Sequence, residues 1–198
     1  MTLTTLALLD QAELFQLASN ASNSDDDATA IGYLKEAVSR PDATASAHYL
    51  LGALYAQIKL YDRAVDEMEA AIALDPALSA ARVQLGLLWL TSGVAERAEA
   101  VLTPLMELGD TDPFQHFGRG LVALLKDQFD DAVGALEAGI ALNHTNLPLN
   151  GDMRRIIDGV AALRAQAPQA AAAEAAPAAD ADGAQHLLLS AYTGNTSH

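Results

Sequence analysis

The stretch ASAHYLLGALYAQIKLYDRAVDEMEAAIALDP, residues 45 to 76, decides the fold. It predicts two short amphipathic helices joined by a turn near residues 59 to 62. In the first helix Leu51 and Gly52 stand together, and Tyr55 follows one helical turn later. In the second, small and large apolar residues line one side: Ala64, Met68 and Ala71. Asp75 and Pro76 end the second helix.

The same arrangement recurs in both directions at a spacing of 34 residues. The small residue where two helices cross is Ala30, Ala64, Ala98 and Ala132, followed four positions on by Leu34, Met68, Leu102 and Leu136. In the first helices a second small column is Ala18, Gly52, Gly86 and Gly120. A small residue is needed there because a larger side chain would push the neighbouring helix away.

This pattern, over residues 11 to 146, resembles the tetratricopeptide repeat. The resemblance implies an all-α fold: a right-handed helical-hairpin solenoid of about four repeats. The expected units are 11–44, 45–78, 79–112 and 113–146, and an apolar face over 151–166 predicts a capping helix that completes a domain of residues 1–166. Residues 167–185 are rich in Ala, Pro and Asp and predict a linker that is disordered or transiently helical at its Ala run. A Leu-rich segment over 186–198 follows it.

Several departures from the repeat carry their own expectations. Residues 2–17 read as one long helix, and the polar loop at residues 22–27 suggests a slip of register and an early end to that helix. Pro104 lies inside an expected helix, which it should kink or shorten. In the unit that begins at residue 113, Ala123 stands where an aromatic is usual.

Composition limits the classes of partner and compartment. The net charge of −15 argues against a nucleic-acid partner, because binding phosphates needs a basic surface. No stretch is long and apolar enough for a membrane span. The first basic residue is Lys35, so a secretory signal would lack its positive start, and we expect a cytoplasmic protein.

The resemblance implies a partner-binding groove lined by the first helix of each unit. Carried over residue by residue, the groove positions are Tyr49, Leu50, Ala53, Val83, Leu87, Leu90, Phe114, Phe117, Leu121 and Leu124. Some members of this family bind a C-terminal carboxylate with Lys, Asn and Arg residues at these groove positions. None of these three residue types occurs at the positions in this chain. We therefore expect the groove to take an apolar segment of a partner protein or peptide. For Leu87 and Leu121, packing between helices is an equal alternative.

The chain's own end is a second candidate ligand. The linker is long enough to bring Leu187, Leu188, Leu189 and Tyr192 back to the repeats. Such a tail could shield the groove, dock on another protein, or link copies into a homo-oligomer. The remaining alternative is an extra strand or helix end with no regulatory role. The function expected is that of a chaperone or adaptor, with a weaker similarity to small acidic chaperones of type III secretion. The alternative is a structural assembly subunit of a secretion or pilus complex.

The sequence offers no constellation for catalysis, so we expect no enzyme, no cofactor and no metal site. There is no Cys, no Gly-rich phosphate loop and no nucleophile motif. His48 and His116 share one repeat position but lie two repeats apart, and semi-buried packing is the expected role for both. Asp25, Asp26 and Asp27 are expected to serve a loop and a helix start.

Overall fold

The computed structural model describes residues 6–173, with side chains for residues 6–165. Within this part of the chain the regular structure comprises nine α-helices and one 3-10 helix, and contains no β-strand. The all-α class expected from the sequence is confirmed. The proposed tail ligand, Leu187, Leu188, Leu189 and Tyr192, lies outside the described residues.

Four helical hairpins succeed one another along the chain. Their members are α1 (Gln11–Ser22) with α2 (Asp27–Val38), α3 (Ala45–Gln57) with α4 (Tyr61–Leu74), α5 (Ser79–Thr91) with α6 (Ala95–Leu102), and α7 (Pro113–Leu125) with α8 (Phe129–Leu142). A 3-10 turn (Thr103–Glu107) follows α6, and α9 (Leu147–Ala173) follows α8. The chain divides into two compact units, Met1–Leu85 and Gly86–His198, and the boundary falls within α5.

Each hairpin closes on the residues that recur every 34 positions. In the second helices the fully buried residues are Ala30, Ala64, Ala98 and Ala132 with Leu34, Met68, Leu102 and Leu136. The facing position of the first helix is also buried in every hairpin: Ala18, Gly52, Gly86 and Gly120. The two columns expected at the helix crossings therefore form the core.

The glycines of the first helices stand where no side chain has room. A Cβ added to Gly86 would lie 2.5 Å from Cδ2 of Leu102. One added to Gly120 would lie 2.7 Å from Cδ2 of Leu136. Both distances are far below ordinary van der Waals contact, so the close approach of the two helices requires glycine. This confirms the reason given for the small column.

The four hairpin turns share one backbone design. Each contains a residue with positive φ, again at a spacing of 34: Asp25 (58°), Lys59 (63°), Gly93 (74°) and Asp127 (55°). The next amide donates to the carbonyl five residues back, with N···O distances of 2.8 to 2.9 Å: Asp26 to Ala21, Leu60 to Tyr55, Val94 to Trp89 and Gln128 to Ala123. This is the Schellman motif, which satisfies the last carbonyls of a helix.

The first hairpin corrects two expectations. Its polar loop has the same turn as the others and α1 runs to Ser22, so the expected slip and early helix end are wrong. The expected single helix over 2–17 is also wrong, because residues 7–10 are not helical and α1 begins at Gln11. The cause is a capping box, in which the Asp10 carboxylate accepts from the Glu13 amide at 2.8 Å and the Glu13 carboxylate accepts from the Asp10 amide at 2.9 Å.

Pro104 shortens the third hairpin as expected. The α-helix ends at Leu102, and Pro104 lies at the start of the 3-10 turn. As a result α6 has 8 residues, whereas α4 and α8 have 14 each. The 3-10 turn that follows α6 packs against α7, where a Cβ added to Gly118 would lie 2.8 Å from Cε of Met106.

The last helix begins at Leu147, four residues before the expected start. An amide network at the junction with α8 explains the early start. The Asn146 side chain accepts from the Leu149 amide at 3.2 Å, and Asn143 Nδ2 donates to Asn150 Oδ1 at 2.8 Å. The buried face of α9 is Leu149, Met153, Ile156 and Val160. Met153, Ile156 and Val160 belong to the apolar face expected from the sequence, and α9 packs on α8.

Candidate functional site

Charge is distributed unequally between the first and second helices of the hairpins. The first helix α3 contains no Asp, Glu, Lys or Arg, and α1, α5 and α7 contain one each. The second helices α2, α4, α6 and α8 contain three to five each. A helix whose surface is apolar on more than one side must be covered by protein on more than one side, or must offer a binding surface. The first helices therefore carry the candidate site.

In the first unit, α3 carries the accessible part of the expected groove. Tyr49, Leu50 and Ala53 are half-buried on this helix, whereas Leu51 and Leu54 are buried. The expected groove residue Val83, on α5, is fully buried. An incoming apolar side chain can therefore contact Tyr49, Leu50 and Ala53 in this unit.

In the second unit, most of the expected groove residues are core residues. The buried ones are Leu87, Leu90, Phe117, Leu121 and Leu124, and Phe114 is half-buried. Phe117 lies against Gly139 of α8, where a Cβ would come within 2.5 Å of the ring. Phe114 meets Phe117 edge to face, with ring centroids 6.2 Å apart. The assignment of these residues to a partner-binding groove stays a prediction, and Phe114 is the member that offers accessible surface.

The two repeat-equivalent histidines make different hydrogen bonds. His48 Nδ1 lies 2.6 Å from Glu67 Oε2, which ties α3 to α4 by their side chains. His116 Nε2 lies 2.7 Å from the carbonyl oxygen of Asp110. Both rings are half-buried, as packing residues would be. Among the described residues, no group of three or more His, Asp or Glu side chains is arranged to hold a metal ion.

Sequence reasoning missed a cleft of about 650 Å³ between α7 and α8 in the second unit. Its floor is made of small and apolar side chains, among them Val122, Ala123, Ala135 and Ala138. The charged side chains at its rim are Arg119, Lys126, Asp130 and Asp131, and His116 lies beside them. Ala123 in the aromatic position was visible in the sequence, but its consequence for the surface was not.

The aromatic position is filled differently in the two preceding hairpins. Tyr55 in α3 is covered by the guanidinium of Arg63, with Cζ 5.8 Å from the ring centroid. Trp89 in α5 is covered by Arg97 at 4.7 Å. In both hairpins the Arg stands eight residues after the aromatic residue. Its distance from the ring centroid is that of a cation–π contact. In α7 and α8 the equivalent residues are Ala123 and Asp131, and both line the cleft.

None of the described helices combines the length and the apolar character needed to cross a lipid bilayer.

Comparison with known proteins identifies the repeat. The family model of the tetratricopeptide repeat matches residues 45–78. No curated protein gives a significant match.

Solved structures share the fold at low sequence identity. A crystal structure of MamA covers 67% of this chain and 78% of its own, with 23% identity and a TM-score of 0.55. A tetratricopeptide repeat protein from Parabacteroides merdae ATCC 43184 covers 93% and 72%, with 15% identity and a TM-score of 0.59. YrrB, described as a protein of this repeat family with an unusual peptide-binding site, covers 94% and 88%, with 17% identity and a TM-score of 0.54.

Proposed function

Residues 45–78 are a tetratricopeptide repeat in a chain with the fold of tetratricopeptide-repeat proteins, and from this we infer that the protein is a non-catalytic module that binds a partner protein. We propose that it acts as a chaperone or adaptor for an apolar segment of that partner. Repeat folds of this type bind their partners along the extended surfaces that stacked hairpins create. The peptide-binding site named for YrrB supports a peptide or helix as the ligand class.

The observation that carries the proposal is the uncharged surface of α3. Tyr49, Leu50 and Ala53 leave part of their apolar surface accessible, and no charged side chain stands anywhere on this helix. The adjoining α4 carries Asp62, Arg63, Asp66, Glu67 and Glu69. Removal of apolar area from water stabilises a complex by roughly 25 cal/mol per Å², whereas burial of an unpaired charge opposes it. An apolar partner segment is therefore favoured on α3 and disfavoured on α4.

The chain's own tail belongs to the same proposal as a competitor. Leu187, Leu188, Leu189 and Tyr192 form an apolar sequence of the kind that the α3 surface would accept. A ligand held in the same chain competes at an effective concentration set by its linker. Deletion of residues 183–198 is expected to strengthen partner binding. Unchanged affinity after the deletion would remove the tail from the proposal while leaving the α3 surface in place.

A pair of matched double variants tests the function. Tyr49→Glu with Ala53→Glu places two negative charges on the α3 surface, and Ala28→Glu with Ala73→Glu places the same charge on exposed positions of α2 and α4. Affinity purification from the source cells with quantitative mass spectrometry identifies the partner, and calorimetry with the purified partner then gives its affinity. We expect the α3 variant to lose the partner and the control to retain it. Retention by both variants would refute the α3 surface as the binding site.

A further inference from the structure

We propose that the cleft between α7 and α8 is a second binding site, which takes an aromatic side chain followed by a basic residue from a partner protein. It differs from the α3 surface in position and in chemistry, because its rim is charged. At the same positions, the second and third hairpins hold an aromatic ring and an Arg.

The preceding hairpins show which groups this position accommodates. Tyr55 is 5% exposed, and its ring is covered by the Arg63 guanidinium. Trp89 is covered by Arg97 in the same way. An aromatic ring under a basic group is therefore what the second and third hairpins hold between their two helices. In α7 and α8 the chain supplies neither group, since Ala123 and Asp131 stand there.

The missing groups leave an accessible space of suitable size. The cleft of about 650 Å³ lies within the range of about 300–1,000 Å³ that is common for ligand sites. The α8 side of the cleft is lined by residues with no side chain or a small one: Gly134, Ala135 and Ala138. Met106 of the 3-10 turn also lines the cleft.

The charges at the rim select the class of ligand. Lys126 is paired with Glu99 at 3.1 Å, and Asp130 is paired with Arg164 at 2.7 Å. Among the described residues Asp131 has no ion pair, and it occupies the position that holds Arg63 and Arg97 in the second and third hairpins. A partner that supplies the ring together with a basic group would restore the arrangement and give Asp131 its counter-charge.

On the opposite wall Arg119 is exposed, and the equivalent residues of the preceding hairpins are the buried Leu51 and Leu85. Arg119 can donate hydrogen bonds to backbone carbonyls of the bound segment, which a leucine cannot do. The three exchanges, at residues 119, 123 and 131, therefore act together. Ala123 replaces the aromatic ring and leaves the floor of the cleft open, Arg119 places a positive charge on α7, and Asp131 places a negative charge on α8.

The test uses the full-length protein and short capped peptides, observed by nitrogen–proton correlation NMR. The probe is acetyl-Ala-Trp-Arg-Ala-amide, and the controls are the same peptide with Glu in place of Arg and with Ala in place of Trp. We expect the probe to shift the amide signals of residues 119–138 and to bind about fivefold or more tightly than either control. Equal binding of the three peptides, or shifts elsewhere only, would overturn the proposal.

Two variants distinguish loss of the binding site from loss of the folded structure. Ala123→Trp with Asp131→Arg rebuilds the contact of the preceding hairpin inside the cleft, so it should abolish probe binding and raise the melting temperature. Asp131→Ala leaves the cleft open and should weaken the probe about fivefold. If both variants bind the probe as the wild type does, the cleft is not its site. The α3 variant Tyr49→Glu with Ala53→Glu should bind the probe normally, so failure here is distinct from failure of the α3 surface.

Discussion

Substitution of Gly120 by Ala tests the packing on which the hairpins depend. A Cβ at this position would lie 2.7 Å from both Cδ2 and Cγ of Leu136 and 3.1 Å from the carbonyl oxygen of Ala132. The backbone oxygen cannot rotate away, and Leu136 is fully buried, so α7 and α8 must separate slightly. Overpacking usually costs about 1–3 kcal/mol, and two contacts below 3.0 Å place this case in the upper part of that range, at about 2–3 kcal/mol. The better helix propensity of Ala offsets about 1 kcal/mol of this cost.

We therefore expect Gly120→Ala to lower the free energy of unfolding by about 1–2 kcal/mol. The control is Gly134→Ala in the same hairpin, where nothing lies within 4 Å of the added Cβ, and where we expect a gain of about 0.5–1 kcal/mol. Urea unfolding followed by far-ultraviolet circular dichroism measures both. The reasoning is refuted if Gly120→Ala is as stable as the wild type or if the two variants change stability equally.

A double-mutant cycle identifies the side chain responsible. In a Leu136→Ala background the Cγ and Cδ2 atoms that clash with the new methyl group are absent. Gly120→Ala should then cost less than it does in the wild type, with a coupling energy of about 1 kcal/mol. Additive effects of the two substitutions would mean that the strain arises elsewhere.

Three further predictions concern the turns and the junction of α9. Lys59→Gly should stabilise the protein by about 1 kcal/mol and Gly93→Ala should destabilise it by a similar amount, because both residues have positive φ; thermal unfolding measures each. Asn150→Ala should cost about 1–3 kcal/mol and increase amide hydrogen exchange in α9, because buried Asn143 loses its partner; unchanged exchange would contradict this. The pKa of Asp26 lies below its ordinary value of 3.8 because the carboxylate accepts hydrogen bonds from Thr29. The larger effect comes from the Thr29 side chain and the smaller from its backbone amide. The ionised carboxylate therefore contributes stability above pH 3.8 and loses it as the pH falls further, so Asp26→Asn should make the melting temperature less sensitive to acid below pH 3.8.

The fold was predictable because its determinants repeat. Each hairpin places a small residue opposite a larger one, and a spacing of 34 residues makes both columns visible without any structural information. Pro104 was equally readable, because its missing amide and its ring end an α-helix in a definite place. The buried columns and the shortened α6 confirm both predictions.

Helix ends and side-chain exposure were less predictable. The start of α1 depends on the reciprocal bonds between Asp10 and Glu13, which compete with an apolar sequence that favours a longer helix. The exposure of Leu90 and Phe117 depends on contacts with other helices, which periodicity within one helix does not give. The cleft beside Ala123 depends on the absence of the ring and the Arg that the second and third hairpins place at the equivalent positions.

Site-specific photo-cross-linking at Ala53 tests the central claim most directly. A photoreactive phenylalanine analogue at Ala53 would lie on the uncharged α3 surface, and the same analogue at Ala73 would lie on the exposed face of α4. If α3 binds an apolar segment, irradiation in the source cells yields a defined partner adduct from position 53 and none from position 73. Equal adducts from both positions, or an adduct from position 73 alone, would contradict the proposed function.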